Sequence, residues 1–213
     1  TIFDGSRKVI LDELSKYKKT LKKNDSFLLY YAGHGEVDSD TATGYWQPVD
    51  AQKETQTARI DVGSVSRMLK SFSAKNILVV ADSCFSGMIF RGLEPAPEIH
   101  NKHTPLEIHS RSAQLQRAFD LQSRMALTSG GEEPVVDATN KFEKHSMFAN
   151  AFLGALQENP ARAVKAGDIA YEVIQKVIIL RNENKLTQTP EYGFLPRKYG
   201  HKGGDFIFRR TSN

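Results

Sequence analysis

The chain has 213 residues, 39% of them hydrophobic and 25% charged, the balance of one folded domain with a real core rather than a disordered or fibrous polymer. Its apolar runs are far shorter than the roughly 18 residues of a membrane span, and Thr1-Ile2-Phe3-Asp4-Gly5 lacks the basic, apolar, small-residue order of a signal peptide, so no membrane partner is expected. The formal charge of +4 is spread over 29 basic and 25 acidic residues, which does not point to nucleic acid, and a single cysteine excludes an internal disulfide or multi-cysteine zinc site and suits a reducing, cytoplasmic setting.

Ile10, Leu14, Tyr17 and Leu21 recur every three or four residues and predict an amphipathic first helix, ended by Asn24-Asp25-Ser26. The basic run Lys16 to Lys23 is then its solvated face, with lysine stems lying over the apolar side. Phe27-Leu28-Leu29-Tyr30-Tyr31-Ala32 predicts a strand buried on both faces, as in a parallel sheet, and Gly33-His34-Gly35 ends it. A polar loop is expected to about residue 58, then a helix near 64–73 with Val65, Met68, Leu69 and Phe72 on one face, then a strand at 77–82. This is a βαβ unit, whose two strands usually lie side by side.

The second strand runs into Asp82-Ser83-Cys84-Phe85-Ser86-Gly87, which carries the chain's one cysteine. Residues 91 to about 111, with Pro95, Pro97 and Pro105, predict a long exposed loop, of the kind that is usually functional. A polar helix near 110–122, a strand at 124–128, helices at about 145–157 and 167–181, and a last strand at 205–209 complete an α/β pattern in three layers.

Ligands of open α/β sheets bind beyond the carboxyl ends of parallel strands, where His34 and Cys84 would both sit. A cysteine attacks a carbonyl as thiolate and needs a base nearby, which makes the pair a Cys–His dyad candidate. The bland alternative is an inert core cysteine behind Val79-Val80-Ala81; the Gly-His-Gly turn after a matching strand argues against it. Their separation of about 50 residues fits the caspase pattern.

These segments resemble the caspase superfamily, and most closely its bacterial and metacaspase-like branches, in which Tyr-x-Gly-His-Gly and Asp-Ser-Cys-x-Ser-Gly close the two catalytic strands. Further pieces match in order: Gly44-Tyr45-Trp46-Gln47-Pro48-Val49-Asp50, Ala126-Leu127-Thr128-Ser129-Gly130-Gly131 with Glu133-Pro134-Val135, His145-Ser146-Met147-Phe148-Ala149, and Gly203-Gly204-Asp205-Phe206-Ile207-Phe208. The resemblance implies one caspase-like peptidase domain over 1–213, with a three-layer α/β/α caspase-haemoglobinase-like fold and a mostly parallel central sheet. It also implies a strand, a helix and a second strand before the first helix. They are missing from this sequence, Thr1-Ile2-Phe3 reading as the tail of the second strand, so the expectation is either a shortened cleavage product or an upstream chain or sensor domain as the partner that completes the sheet.

The activity implied is that of a cysteine endopeptidase acting on protein or peptide substrates, with His34 as base and acid, Cys84 as nucleophile, and the backbone N–H groups of Gly35 and Cys84 as oxyanion hole. Asp82 stands at the position that lines the primary specificity pocket, where an aspartate suits arginine or lysine; the competing reading makes it a cap of the following turn. Glu132, Glu133 and Asp137 would add negative charge near that pocket. A protease of that preference should process itself between Arg91 and Arg124, where Lys102, Arg111 and Arg117 offer sites. The competing functional readings are a caspase-fold peptidase of another specificity and a non-catalytic caspase-like interaction domain.

Other signals are weak. Ser15-Lys16-Tyr17-Lys18 fits Ser-x-x-Lys but lies on the charged helix. His100, His103 and His109 have no carboxylate framework for a metal. Asp38 and Asp40 fit the start of a calcium loop, yet Ala42-Thr43-Gly44-Tyr45-Trp46-Gln47 stands where metacaspases carry acids, so neither calcium activation nor another cofactor or metal is expected.

Overall fold

A computed structural model describes residues 1–52, 56–90, 110–131, 145–184, 187–195 and 200–211. At its centre, four strands lie in the order β1 (Ser26–Ala32), β5 (Asn76–Asp82), β6 (Ser123–Thr128) and β8 (Glu191–Phe194). The first three are parallel and β8 runs antiparallel to β6. The predicted βαβ pairing holds, with Phe27 opposite Ile77 and Ala32 opposite Asp82.

Alternation along β5 feeds two cores, because successive side chains point to opposite faces. Ile77, Val79 and Ala81 pack with Leu14 of α1 (Arg7–Thr20) and with Val65 and Leu69 of α2 (Val62–Lys70). Leu78 and Val80 pack with Phe148, Phe152 and Ala155 of α4 (Met147–Glu158) and with Ile169, Val173 and Val177 of α5 (Ala166–Asn184). Helices on both faces of a mostly parallel sheet make the three-layer α/β/α architecture. Each of these helices starts where local chemistry allows: the hydroxyls of Ser6 and Ser146 accept from Val9 and Ala149, and Asp61 accepts from Gly63. At the start of α5, the carboxylate of Asp205 accepts from Gly167 N–H at 3.2 Å, Phe206 N–H at 2.7 Å and the Tyr192 hydroxyl at 2.6 Å.

Three expectations need correction. First, β1 is not buried on both faces: it is the edge strand among the described residues, and Leu28 and Tyr30 remain 41% and 40% exposed while Phe27 is buried. An apolar run cannot by itself distinguish an edge from a centre, since neighbours decide burial. Second, the segment to residue 58 is not simply a polar loop. It folds as a three-stranded antiparallel sheet, β2 (His34–Asp38), β3 (Thr43–Gln47) and β4 (Ile60–Asp61). Trp46, 2% exposed, holds it to the core by stacking on Tyr31 with ring centroids 4.1 Å apart and planes at 9°. Third, the last strand is shorter than the 205–209 expected: β9 (Ile207–Arg209) pairs with β7 (Ala163–Lys165), a strand the sequence did not reveal.

The expected exposed loop of 91–111 lies mostly outside the described residues. Its end, Ser110-Arg111, is instead the start of α3 (Arg111–Asp120), whose N-cap is Ser110. Arg124, the last residue of the expected cleavage window, is 1% exposed in β6.

Trp46→Ala should cost about 3–5 kcal/mol, since it removes a fully buried indole and its stacking contact with Tyr31. Urea denaturation followed by circular dichroism measures this. A loss below about 1 kcal/mol would mean that the small sheet is not anchored through Trp46.

Candidate active site

Register brings the two sequence-predicted turns together. Because Ala32 lies opposite Asp82, the chain leaves β1 and β5 at the same level, and Gly33 N–H donates to Asp82 C=O at 3.3 Å. His34 then opens β2, its backbone carbonyl accepting the Tyr31 hydroxyl at 2.8 Å; the same hydroxyl lies 3.4 Å from the carbonyl of Gln47. Burial pushes the Tyr31 phenol up to about 12, so it stays a donor at neutral pH. The stacked Tyr31–Trp46 pair thus fixes the backbone at His34, whose side chain is exposed.

Gly35 touches the other turn. A β-carbon on it would sit 2.1 Å from the carbonyl oxygen of Cys84, so only glycine permits this approach. The structure therefore places the His34-Gly35 step directly against Cys84, a half-buried residue.

The Cys84 turn is strained and clamped. Phe85 adopts φ of 55°, a left-handed conformation that a bulky residue holds at a cost of roughly 1–3 kcal/mol unless its surroundings impose it. Here they do. Ser86–Phe90 forms a 3₁₀ turn, Gly87 N–H donates to Gly131 C=O at 3.0 Å, and the Ser86 hydroxyl bonds Gly130 at both its C=O (3.0 Å) and its N–H (3.2 Å). Ser129 does the same for Ser83: its hydroxyl accepts Ser83 N–H at 3.0 Å and donates to Ser83 C=O at 3.2 Å.

Asp82 ends β5 on the face that carries Val80. Its Oδ2 accepts the Tyr30 hydroxyl at 3.3 Å and the hydroxyl of Ser146, which also caps α4 by accepting Ala149 N–H at 2.9 Å. Desolvation first, then the charge of Asp82 and the bond to it, push the Tyr30 phenol well above its ordinary range, so it remains a donor to the carboxylate.

Sequence reasoning named His34, Gly35, Asp82 and Cys84, and the fold gathers all four. It gave no role to the residues that hold them, Tyr30, Ser83, Ser129, Ser146 and Gln188, although Ser83, Ser129 and Ser146 lie in the motifs that carry the resemblance. A serine before an apolar helical run could have flagged Ser146 as an N-cap; nothing local marks Gln188. Glu132, Glu133, Asp137, His100, His103, His109 and Lys102 lie outside the described residues. Asp38 serves the β2–β3 hairpin, its carboxylate accepting the N–H groups of Asp40 at 3.0 Å and Thr41 at 3.1 Å. Among the described residues no three His, Cys, Asp or Glu side chains gather as metal ligands, and no helix is long and apolar enough to cross a membrane.

The three-layer architecture recurs in the crystal structure of protein GSU0716 from Geobacter sulfurreducens, which matches 94% of this chain and 79% of its own at a TM-score of 0.54 and 16% identity. That likeness concerns the fold. Residues 2–199 match the family model of the caspase domain, and the chain therefore belongs to this family of cysteine peptidases. No curated protein matches it.

Gly35→Ala should separate the two turns, because the clash is with backbone and no rotamer relieves it. We expect a destabilisation of about 1–3 kcal/mol or more. Thermal unfolding tests this, and an unchanged Tm would show that the turns do not abut.

Proposed function

We propose that the chain is a cysteine endopeptidase that hydrolyses peptide bonds after arginine or lysine, with Cys84 as nucleophile and His34 as general base and acid. The observation that carries this reading is the contact of Gly35 with the Cys84 backbone, in a caspase-domain chain whose parallel β1–β5 register levels both turns. In the proposed cycle, His34 takes the thiol proton and the thiolate adds to the scissile carbonyl. The N–H groups of Gly35 and Cys84 receive the oxyanion. Collapse breaks the C–N bond, His34 protonates the departing amine, and water then hydrolyses the thioester to release the acid and restore the thiol.

Asp82 would bind the basic side chain before the scissile bond, through a pair that is bidentate for arginine. Supporting this, two hydroxyls converge on its Oδ2, which fixes the carboxylate's orientation. Self-processing is part of the proposal, and the fold narrows its sites. Arg111 and Arg117 lie within α3, whose hydrogen-bonded backbone resists an extended binding mode, which leaves Arg91 and Lys102 as candidates.

Three outcomes are expected. Cys84→Ala and His34→Ala should each abolish cleavage of fluorogenic arginyl peptides while the protein stays folded, and an arginyl chloromethyl ketone should label Cys84. Retained cleavage in either variant would refute the dyad, and absence of both cleavage and labelling in the wild type would favour a non-catalytic interaction domain. Asp82→Asn should lower kcat/KM on arginyl and lysyl peptides by about 30-fold to several-thousand-fold, since truncating one partner of a desolvated charge pair costs roughly 2–5 kcal/mol. A preference for cleavage after aspartate would overturn the pocket assignment. Intact mass spectrometry should find fragments ending at Arg91 or Lys102 in wild-type protein and none in Cys84→Ala.

A further inference from the structure

A peptide N–H cannot be aimed independently of the carbonyl that shares its plane. The N–H of Cys84 belongs to the same peptide unit as the C=O of Ser83, and all described peptide bonds are trans, so the two point in opposite directions. Whatever fixes the Ser83 carbonyl therefore aims the Cys84 N–H. That group is the hydroxyl of Ser129, which donates to Ser83 C=O at 3.2 Å and accepts Ser83 N–H at 3.0 Å.

Ser129 is itself immobilised. It is fully buried, its N–H donates to Ala81 C=O at 2.9 Å, and its own carbonyl accepts the side-chain amide of Gln188 at 2.8 Å. Gln188 is also fully buried, and its backbone carbonyl is held by Arg181 at 3.2 Å. Among the described residues, the amide oxygen Oε1 of Gln188 has no hydrogen-bond partner. The bond from Nε2 to the Ser129 carbonyl, made in a fully buried setting, sets the orientation of this side chain.

We propose that Ser129, anchored by Gln188, is a positioning residue that orients the Cys84 N–H toward the oxyanion of the tetrahedral intermediate. The inference rests on the peptidase reading above. Its signature is specific to steps that build negative charge on a carbonyl oxygen, because the hydroxyl touches neither the sulfur nor the imidazole in the contacts described. Attack of the thiolate on an alkyl halide forms no oxyanion and should be indifferent to it.

The experiment compares wild type, Ser129→Ala, Ser129→Thr and Gln188→Met on three readouts. These are kcat and KM for an arginyl peptide amide, inhibition by the matching arginyl aldehyde, and the rate of Cys84 alkylation by iodoacetamide. Ser129→Ala should lower kcat about 10- to 100-fold with KM within about twofold, a fraction of what removing an oxyanion donor outright costs. It should weaken the aldehyde, whose thiohemiacetal carries the oxyanion, by a similar factor. Alkylation should stay within about twofold, and Ser129→Thr should restore kcat. If Ser129→Ala does not fold, Gln188→Met, which keeps volume and removes the amide donor, reads the same pattern in weaker form. Equal kcat in a folded Ser129→Ala overturns the inference alone. A loss of alkylation parallel to kcat assigns Ser129 to holding the turn in general and also overturns it. Wild-type protein without Cys84-dependent cleavage overturns the peptidase reading together with the inference.

Discussion

The site depends on the register of one strand pair. Parallel pairing of β1 with β5 from Ser26 opposite Asn76 to Ala32 opposite Asp82 makes both strands end on one level, and a slip of a single residue would invert the faces of every side chain in β1. Register is enforced by the alternation itself: Phe27 and Tyr31 belong beneath α1, α2 and Trp46, where the first core fills the layer. The close approach of Gly35 to Cys84 follows from that register together with a glycine that presents no β-carbon. Hydrophobic packing far from the chemistry thus sets the geometry of the two turns.

A second layer of control is polar. The strained turn after Cys84 is tied to 129–131 by hydroxyl and backbone hydrogen bonds, in a region where Ser83, Ser86 and Ser129 are all buried. Each such bond contributes only about 1 kcal/mol net, but leaving a buried donor unmade costs more than forming the bond returns. The network is consequently stiff, since partial opening exposes several unmet groups together. The opposite end of the sheet solves a similar problem differently. Arg124, buried at the start of β6, donates to the carbonyls of Phe72, Lys75 and Ser123, and its loss of hydration lowers its pKa to about 10.

Much of this was legible in the sequence where the signal is local. The apolar run 77–81 ending in Asp82-Ser83-Cys84 identifies a central strand and its turn, and the helices betray themselves by period and by their serine and aspartate caps. What could not be read is tertiary. Leu28 and Tyr30 look as apolar as Leu78 and Val80, and only the absence of cover on one side distinguishes them. The small sheet of β2, β3 and β4 escaped because its strands are two to five residues long and owe their burial to Trp46 meeting Tyr31 from a distant segment. Gln188 sits in a polar stretch two residues before Pro190, a loop signal by composition, and its full burial depends on meeting Ser129 across 59 positions.

The chemistry of the clamp also has an electrostatic logic. Serine hydroxyls, a glutamine amide and backbone groups carry no net charge, so the Cys84 turn is fixed without burying an ion among Ser83, Ser129 and Gln188. Had an arginine or aspartate held the same backbone, its burial would have carried a desolvation penalty that neutral groups avoid. Neutral hydrogen bonds thereby set where the peptide unit of Ser83 and Cys84 points. The carboxylate of Asp82 is drawn toward Tyr30 and Ser146 on the opposite face of β5 from Ala81, which keeps its orientation tied to the α4 side of the sheet.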